Sequence, residues 1–195
     1  MTTKQPSSFL VRILYGVESI WAFGSGLFLP IFAIFSEQVG GDITDAGIAA
    51  ALFLFATSTI AWPVSIYLDR FNKKWFIVAD YFLEGVVFLG YAFVTTKYQL
   101  FGLQILLGIA NSIGDPAWES LFDNAIPKKS AGKFWSLSHL WIGYASATGI
   151  LIGSILADTY GFSIVFLIGA VLSFTAALLS AILIKNHHGK SKASL

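Results

Sequence analysis

The sequence predicts an all-α integral membrane protein of six transmembrane helices, and three observations carry that prediction. Only 12% of its 195 residues are charged while 56% are hydrophobic, and the mean hydropathy is +0.74. So little polar surface cannot cover a water-soluble globule of this length. Six stretches reach the roughly 20 mainly apolar residues that a helix needs to cross a bilayer. The basic residues then alternate between loops, as they do when loops alternate between the two sides of a membrane.

In chain order the stretches run at about 9–35, 46–68, 75–95, 98–125, 134–157 and 162–184. They form one transmembrane domain over 1–195 with a polar cytoplasmic tail at 185–195. The breaks between them carry turn chemistry: Gly-Gly-Asp-Ile-Thr-Asp at 40–45, Asp-Arg-Phe-Asn-Lys-Lys at 69–74, Thr-Thr-Lys at 95–97, Pro-Lys-Lys-Ser-Ala-Gly at 127–132 and Asp-Thr-Tyr-Gly at 158–161. Pro30 and Pro63 are expected to bend the first and second helices. The N-terminal run lacks a small-residue cleavage site after a short apolar core and is not expected to be a cleaved signal peptide.

Eleven of the twelve lysines and arginines fall on one side of this arrangement. Lys4 and Arg12 open the first helix; Arg70, Lys73 and Lys74 follow the second; Lys128, Lys129 and Lys133 follow the fourth; Lys185, Lys190 and Lys192 follow the sixth. Lys97 alone lies in the other loops, which hold Glu37, Asp42, Asp45 and Asp158. The positive-inside rule therefore places both termini in the cytoplasm, with the cell (plasma) membrane as the expected location. A net charge of +1 gives no reason to expect nucleic acid as a partner, and the absence of cysteine excludes disulfides and thiolate metal sites. No phosphate loop, metal-ligand cluster or nucleophile triad is present in the sequence. Neither an enzyme, a catalytic residue, a metal nor a cofactor is expected.

Chemistry is expected among ionisable residues at depth, because each costs at least a few kcal/mol to place in hydrocarbon. These are Glu18 on the first helix, Asp80 and Glu84 on the third, Asp115 and Glu119 on the fourth and His139 on the fifth. No lysine or arginine lies at comparable depth, so the acids must be protonated, hydrated by a cavity or paired with a transient cation. On the fourth helix Asn111, Asp115, Glu119 and Asp123 recur at intervals of four as one polar stripe. Pro116 removes the hydrogen bond to the Ser112 carbonyl and is expected to kink the helix beside Asp115. On the first helix Glu18, Trp21, Ala22 and Ser25 share a face. Histidine is the side chain type that changes charge near neutral pH, so a proton relay stands beside simple hydrogen bonding as the role of His139. Trp75, Tyr98 and Trp135 are expected as interfacial anchors, while Trp21, Trp62, Trp118 and Trp141 lie deeper, where an indole can stack on a sugar or an organic cation.

A short internal repeat runs under this pattern. Ser-Ile-Tyr-Leu-Asp-Arg-Phe-Asn at 65–72 closes the second helix and Ser-Ile-Leu-Ala-Asp-Thr-Tyr-Gly at 154–161 closes the fifth, on opposite sides of the membrane. That is the pattern of three helices repeated with inverted topology.

The 65–74 segment, with Ser65, Asp69, Arg70, Asn72, Lys73 and Lys74, resembles the Gly-x-x-x-Asp-Arg-x-Gly-Arg-Lys loop of the major facilitator superfamily, with both glycines replaced. Asp123, Pro127, Lys128, Lys129 and Gly132 are similar to the acid and basic loop that end the family's fourth helix. Gln104 stands where many members carry an arginine four residues before the glycine matched by Gly108. The resemblance implies half of a major facilitator fold, a 3+3 inverted repeat matching the N-terminal half of the twelve-helix transporters. It further implies that the first and fourth helices line a central cavity, which brings Glu18 towards Asp115, and that the third faces outward. It casts Asp69, Arg70, Lys73, Lys74 and Asp123 as a cytoplasmic gate, with Asp123 paired to Arg70 or a neighbouring lysine. The small-residue seam of Gly143, Gly149 and Gly153 on the fifth helix is then a dimer contact against the second, with packing inside one subunit as its alternative.

The resulting expectation is a secondary active transporter of a small solute, coupled to protons, working by alternating access as a homodimer of six-helix halves. Candidate proton and substrate residues are Glu18, Asp115, Glu119, Asn111, Trp21 and His139, with Asp80 and Glu84 in second rank. Its partners are the lipid bilayer, protons, the solute and a second copy of the chain. The competing readings are a non-transporting six-helix subunit or assembly partner, one half of a heterodimeric transporter, or a fragment of a longer protein. Substrate identity and direction of transport stay open.

Overall fold

The computed structural model describes residues 8–68 and 70–191, with side chains over 9–68 and 70–183. Every regular element among the described residues is helical: α1 (Ser8–Phe28), a 3₁₀ turn (Leu29–Ile31), α2 (Phe32–Gln38), α3 (Ile43–Leu68), α4 (Lys73–Tyr91), α5 (Lys97–Ala125), a second 3₁₀ turn (Lys128–Ser130), α6 (Ala131–Tyr160) and α7 (Phe162–Ser191). The first expected helix is thus two. Pro30 has no N–H to continue the α pattern, and the chain tightens into a 3₁₀ turn there before resuming as α2. Pro63 and Pro116, by contrast, sit within helices that run on past them.

The helix ends follow local chemistry. Asp42 and Asp45 exchange bonds at the start of α3, the Asp45 amide donating to Asp42 Oδ1 at 2.8 Å and the Asp42 amide to Asp45 Oδ2 at 3.1 Å, which satisfies two otherwise orphaned donors. Asn72 and Thr96 cap α4 and α5 with side-chain oxygens. The turn expected over 158–161 shrinks to one residue. Gly161 joins α6 to α7 at φ +83° and ψ 171°, a conformation that essentially only glycine adopts.

Each long helix packs on its neighbours in the order α3, α5, α4, α7, α1, α6. The two ends of that order are the least covered: α3 buries only Asp45, Ala46, Ala49 and Leu68, and α6 only Ser138, Gly149 and Gly153. Four segments are apolar and long enough to cross a membrane, namely Phe9–Gln38, Ile43–Leu68, Lys128–Tyr160 and Phe162–Leu183. The third and fourth expected spans, α4 and α5, do not carry that signature. Their polar groups turn inward instead, with Lys74, Asp80 and Glu84 of α4 and Gln104 and Ser112 of α5 buried.

The core is divided. One apolar cluster gathers Val11, Leu14, Val17, Ile77, Tyr81, Ala117, Trp118, Phe122 and Ala176. The other gathers Leu27, Phe28, Phe35, Val87, Tyr91, Leu100, Phe166 and Ala170. Trp118 stacks on Phe122 at 5.0 Å and Trp135 meets the same ring at 4.8 Å, so both indoles serve packing rather than a solute or the interface. Trp75 and Tyr98 are exposed near helix ends, as expected of anchors.

Candidate functional site

Along each of the four central helices, the residues between the two apolar clusters include polar ones. On α1 they are Glu18 and Trp21, on α4 Glu84, with Asp80 one turn before it at the edge of the first cluster, on α5 Asn111, Ser112 and Asp115, and on α7 Ser173. Together they make a polar layer at mid-height of the bundle.

Its centre is a reciprocal clasp between α1 and α4. The Trp21 indole on α1 donates to Glu84 Oε1 on α4 at 2.7 Å. The Tyr81 hydroxyl on α4 donates to Glu18 Oε2 on α1 at 3.1 Å. Each helix therefore supplies one acid and one aromatic donor, spaced three residues apart so that both face the same neighbour. Asp80 lies one turn before Glu84 and packs against α5 at Gly114, where any side chain would collide with its carboxylate. Three buried acceptors remain without a hydrogen bond: Asp80 Oδ1, Glu84 Oε2 and Asn111 Oδ1.

Asp115 lies within electrostatic reach of Glu18, Asp80 and Glu84, and Glu119 within reach of Glu18 and Asp115. Both are exposed on the outer face of α5. His139 is exposed on α6 and stacks loosely on Trp135 at 6.2 Å. Along α6 it lies between two bonds to α1, from Tyr15 Oη to the Phe134 carbonyl at 2.9 Å and from Ser146 Oγ to the Ala22 carbonyl at 3.2 Å, just as Glu18 lies between their α1 ends.

Two sequence expectations change here. The third helix does not simply face outward, because Asp80 and Glu84 are 4% and 1% exposed and occupy the middle of the layer. Gly149 and Gly153 do not face a second copy. A Cβ at Gly149 would strike the Phe23 carbonyl and one at Gly153 the Leu27 carbonyl, so these glycines let α6 approach α1 inside the subunit. Gly143 is exposed, with open space around it. Asp123, near the end of α5, takes the neighbouring-lysine form of its expected pairing, with Lys128 five residues on, rather than the Arg70 form. Arg70 instead lies over the Tyr67 ring at 5.9 Å, and Lys73 donates to Ser120 at 2.6 Å, tying α4 to α5. Asp69, the acid of the gate motif, lies outside the described residues.

The one lysine on the unexpected side also finds its reason. Lys97, at the start of α5, donates to Asp45 Oδ2 at 2.9 Å and binds the mouth of α5 to that of α3. That hydrogen bond holds the Asp45 carboxyl below its ordinary range and the Lys97 ammonium above its own.

Sequence reasoning missed Tyr81, Gly114 and Ser173. Tyr81 sits three residues before Glu84 as Glu18 sits three before Trp21, and that matched acid–aromatic spacing was the available signal. Gly114 adjoins Asp115 within a helix, where a glycine costs about 1 kcal/mol against alanine unless close packing requires it. Ser173 is a buried polar residue within an apolar span.

Long apolar helices around an acid-bearing layer define a multi-pass membrane protein. The chain belongs to the Major Facilitator Superfamily, whose model matches residues 14–195; members related to it are transporters and not enzymes. It is 31% identical, over 80% of its length, to an uncharacterized MFS-type transporter of Methanocaldococcus jannaschii, of which the match spans 41%. It is 24% identical, again over 80% of its length, to an uncharacterized MFS-type transporter of Bacillus subtilis, of which the match spans 96%. It is 26% identical over 86% of its length to the multidrug resistance protein MdtG of Salmonella typhimurium, of which the match spans 43%.

Proposed function

We propose that the chain is one half of a proton-coupled secondary transporter of a small solute, working by alternating access as a pair of copies in the plasma membrane. The observation that carries this reading is the exposed acidic face of α5. Asp115 and Glu119 stand beside the buried layer at mid-bundle and are exposed among the described residues. Acids at that depth need water or a partner facing them, and a central cavity between two halves supplies both.

Two further features support the halves. Exchanging α1 with α5, α3 with α6 and α4 with α7 maps the neighbour order of the bundle onto its own reverse, as a 3+3 inverted repeat of six spanning helices requires. The Bacillus subtilis relative, matched over nearly all of its own length, supports a family unit of this size. The pairing surface is then the uncovered flank of α3 and α6, with Phe55, Trp62 and Ile66 on one and Gly143, Trp141 and Tyr144 on the other. Both termini lie in the cytoplasm under this arrangement, and Glu18, Asp115 and Glu119 take up protons in alternation with solute. Asn111, Trp21 and His139 border the same space.

The test is flux into liposomes holding the purified protein, with and without a pH gradient, over sugars, organic acids and organic cations. Gradient-driven movement of one class, lost in Glu18→Gln and Asp115→Asn, supports the reading. Absence of flux for every class, with unaltered behaviour of both variants, overturns it. Native mass measurement of the same preparation decides between paired copies and a monomer.

A further inference from the structure

We propose that Asp80 and Glu84 form a proton-binding site of their own, separate from the cavity acids Glu18, Asp115 and Glu119 and closed towards α1 by Trp21. Each carboxyl has one oxygen without a partner, Asp80 Oδ1 and Glu84 Oε2, and each side chain is more than nine-tenths buried. Asn111 Oδ1 adds a third buried acceptor in the same layer with no donor. The local inventory is thus short of hydrogen-bond donors, and an O–H on a carboxylic acid is a donor made in place.

The surrounding charges point the same way. From α1 the site meets Glu18, from α5 Asp115, and from α4 itself the neutral phenols of Tyr81 and, further along, Tyr91; α7 carries no titratable side chain over its described side chains, 162–183. No cation among the described residues faces the pair, so two carboxylates here would repel each other and their neighbours without compensation. The space also selects the ligand. The Asp80 carboxyl occupies the room left by the missing side chain of Gly114, and the ring of Phe174 would meet a Cβ on Gly85 at 2.6 Å, so α5 and α7 close tightly around this stretch of α4. A proton needs no cavity and a hydrated metal ion does. In loading, each carboxylate takes one proton from hydronium, forming one O–H bond and releasing one water; in unloading, water takes that proton back.

The clasp gives the site its regulation. α1 and α4 are not direct packing neighbours, and Trp21 donates to Glu84 only while the two helices stay close enough for these side chains to bridge them. Separation of the two helices removes that donor and admits water, so loss of the protons and parting of α1 from α4 are linked equilibria.

Infrared difference spectroscopy of the full chain in lipid nanodiscs, titrated with pH, tests this through the carbonyl stretch of protonated carboxylic acids. The expected result is a protonated-acid band at neutral pH that exchanges slowly with deuterium, is reduced by Asp80→Asn and by Glu84→Gln, and survives Glu18→Gln. No such band in the wild type, or a band lost in Glu18→Gln and kept in both other variants, overturns the proposal. The two amides preserve side-chain volume; should one fail to fold, the other and the wild-type titration still decide. The readout involves no flux, so it stands or falls apart from the transport reading.

Discussion

Trp21 holds Glu84 by an indole hydrogen bond of 2.7 Å that bridges from α1 to α4, one turn from where Tyr81 returns a bond to Glu18. Glu84 is 1% exposed, and its other carboxyl oxygen has no partner.

Replacing Trp21 with phenylalanine keeps an aromatic ring and deletes only the donor. Leaving a buried acceptor unsatisfied costs about 1–3 kcal/mol, more when it is charged. Trp21→Phe is therefore expected to lower the melting temperature in detergent clearly. Trp62→Phe, at a residue 75% exposed on α3, is expected to leave it nearly unchanged. Equal melting of the two variants would show that the indole bond contributes nothing.

Gly114→Ala places a methyl group where the Asp80 carboxyl sits. Overpacking of this kind costs about 1–3 kcal/mol. The strain is specific to one partner, so Asp80→Ala in the same chain is expected to recover part of the loss, giving a favourable coupling in a double-mutant cycle of melting temperatures. Strict additivity would place the strain elsewhere.

Part of this arrangement was legible in the sequence. Hydropathy and charge marked the helices, and Glu18, Trp21, Asn111 and Asp115 stood out as polar residues at depth. The position of Asp80 and Glu84 was not legible, because a carboxylate at depth reads alike whether it faces a cavity or a closed core. What decides is the cross-helix register that sets Tyr81 against Glu18 and Gly114 against Asp80. The glycines of α6 show the same limit. A four-residue spacing of small residues announces a close helix contact and says nothing of which helix answers it.

That distinction is measurable at Gly149, Gly153 and Gly143. The first two meet backbone atoms of α1 where a side chain would begin, while the third faces open space. Gly149→Leu and Gly153→Leu are expected to unfold the subunit, with loss of monodisperse protein. Gly143→Leu is expected to preserve the fold and to change only the association of copies, read by native mass. Well-folded Gly153→Leu protein with impaired pairing alone would restore the seam to the dimer contact.

At the mouth of the bundle, Lys97 donates to Asp45 at 2.9 Å, and the Asp42 amide donates to the same oxygen at 3.1 Å. These bonds hold the Asp45 carboxyl below its ordinary value, the lysine being the larger cause. A depressed carboxyl contributes stability that is present above its ordinary titration range and lost as pH falls through its folded value. Lys97 is shifted upward by the same bond, so its contribution is complete below the ordinary lysine range and lost as pH rises through its folded value. Between those limits the pair is at full strength. The melting-temperature difference between wild type and Asp45→Asn is therefore expected to be small and flat across the neutral range and to shrink on acidification, since the asparagine has nothing to protonate. Salt should reduce it modestly, because the Lys97 end of the pair is partly open to water and so partly screened. A difference that grows as pH falls would mean that Asp45 is stabilised in its protonated form, and that the α3–α5 mouth is held by something other than this ion pair.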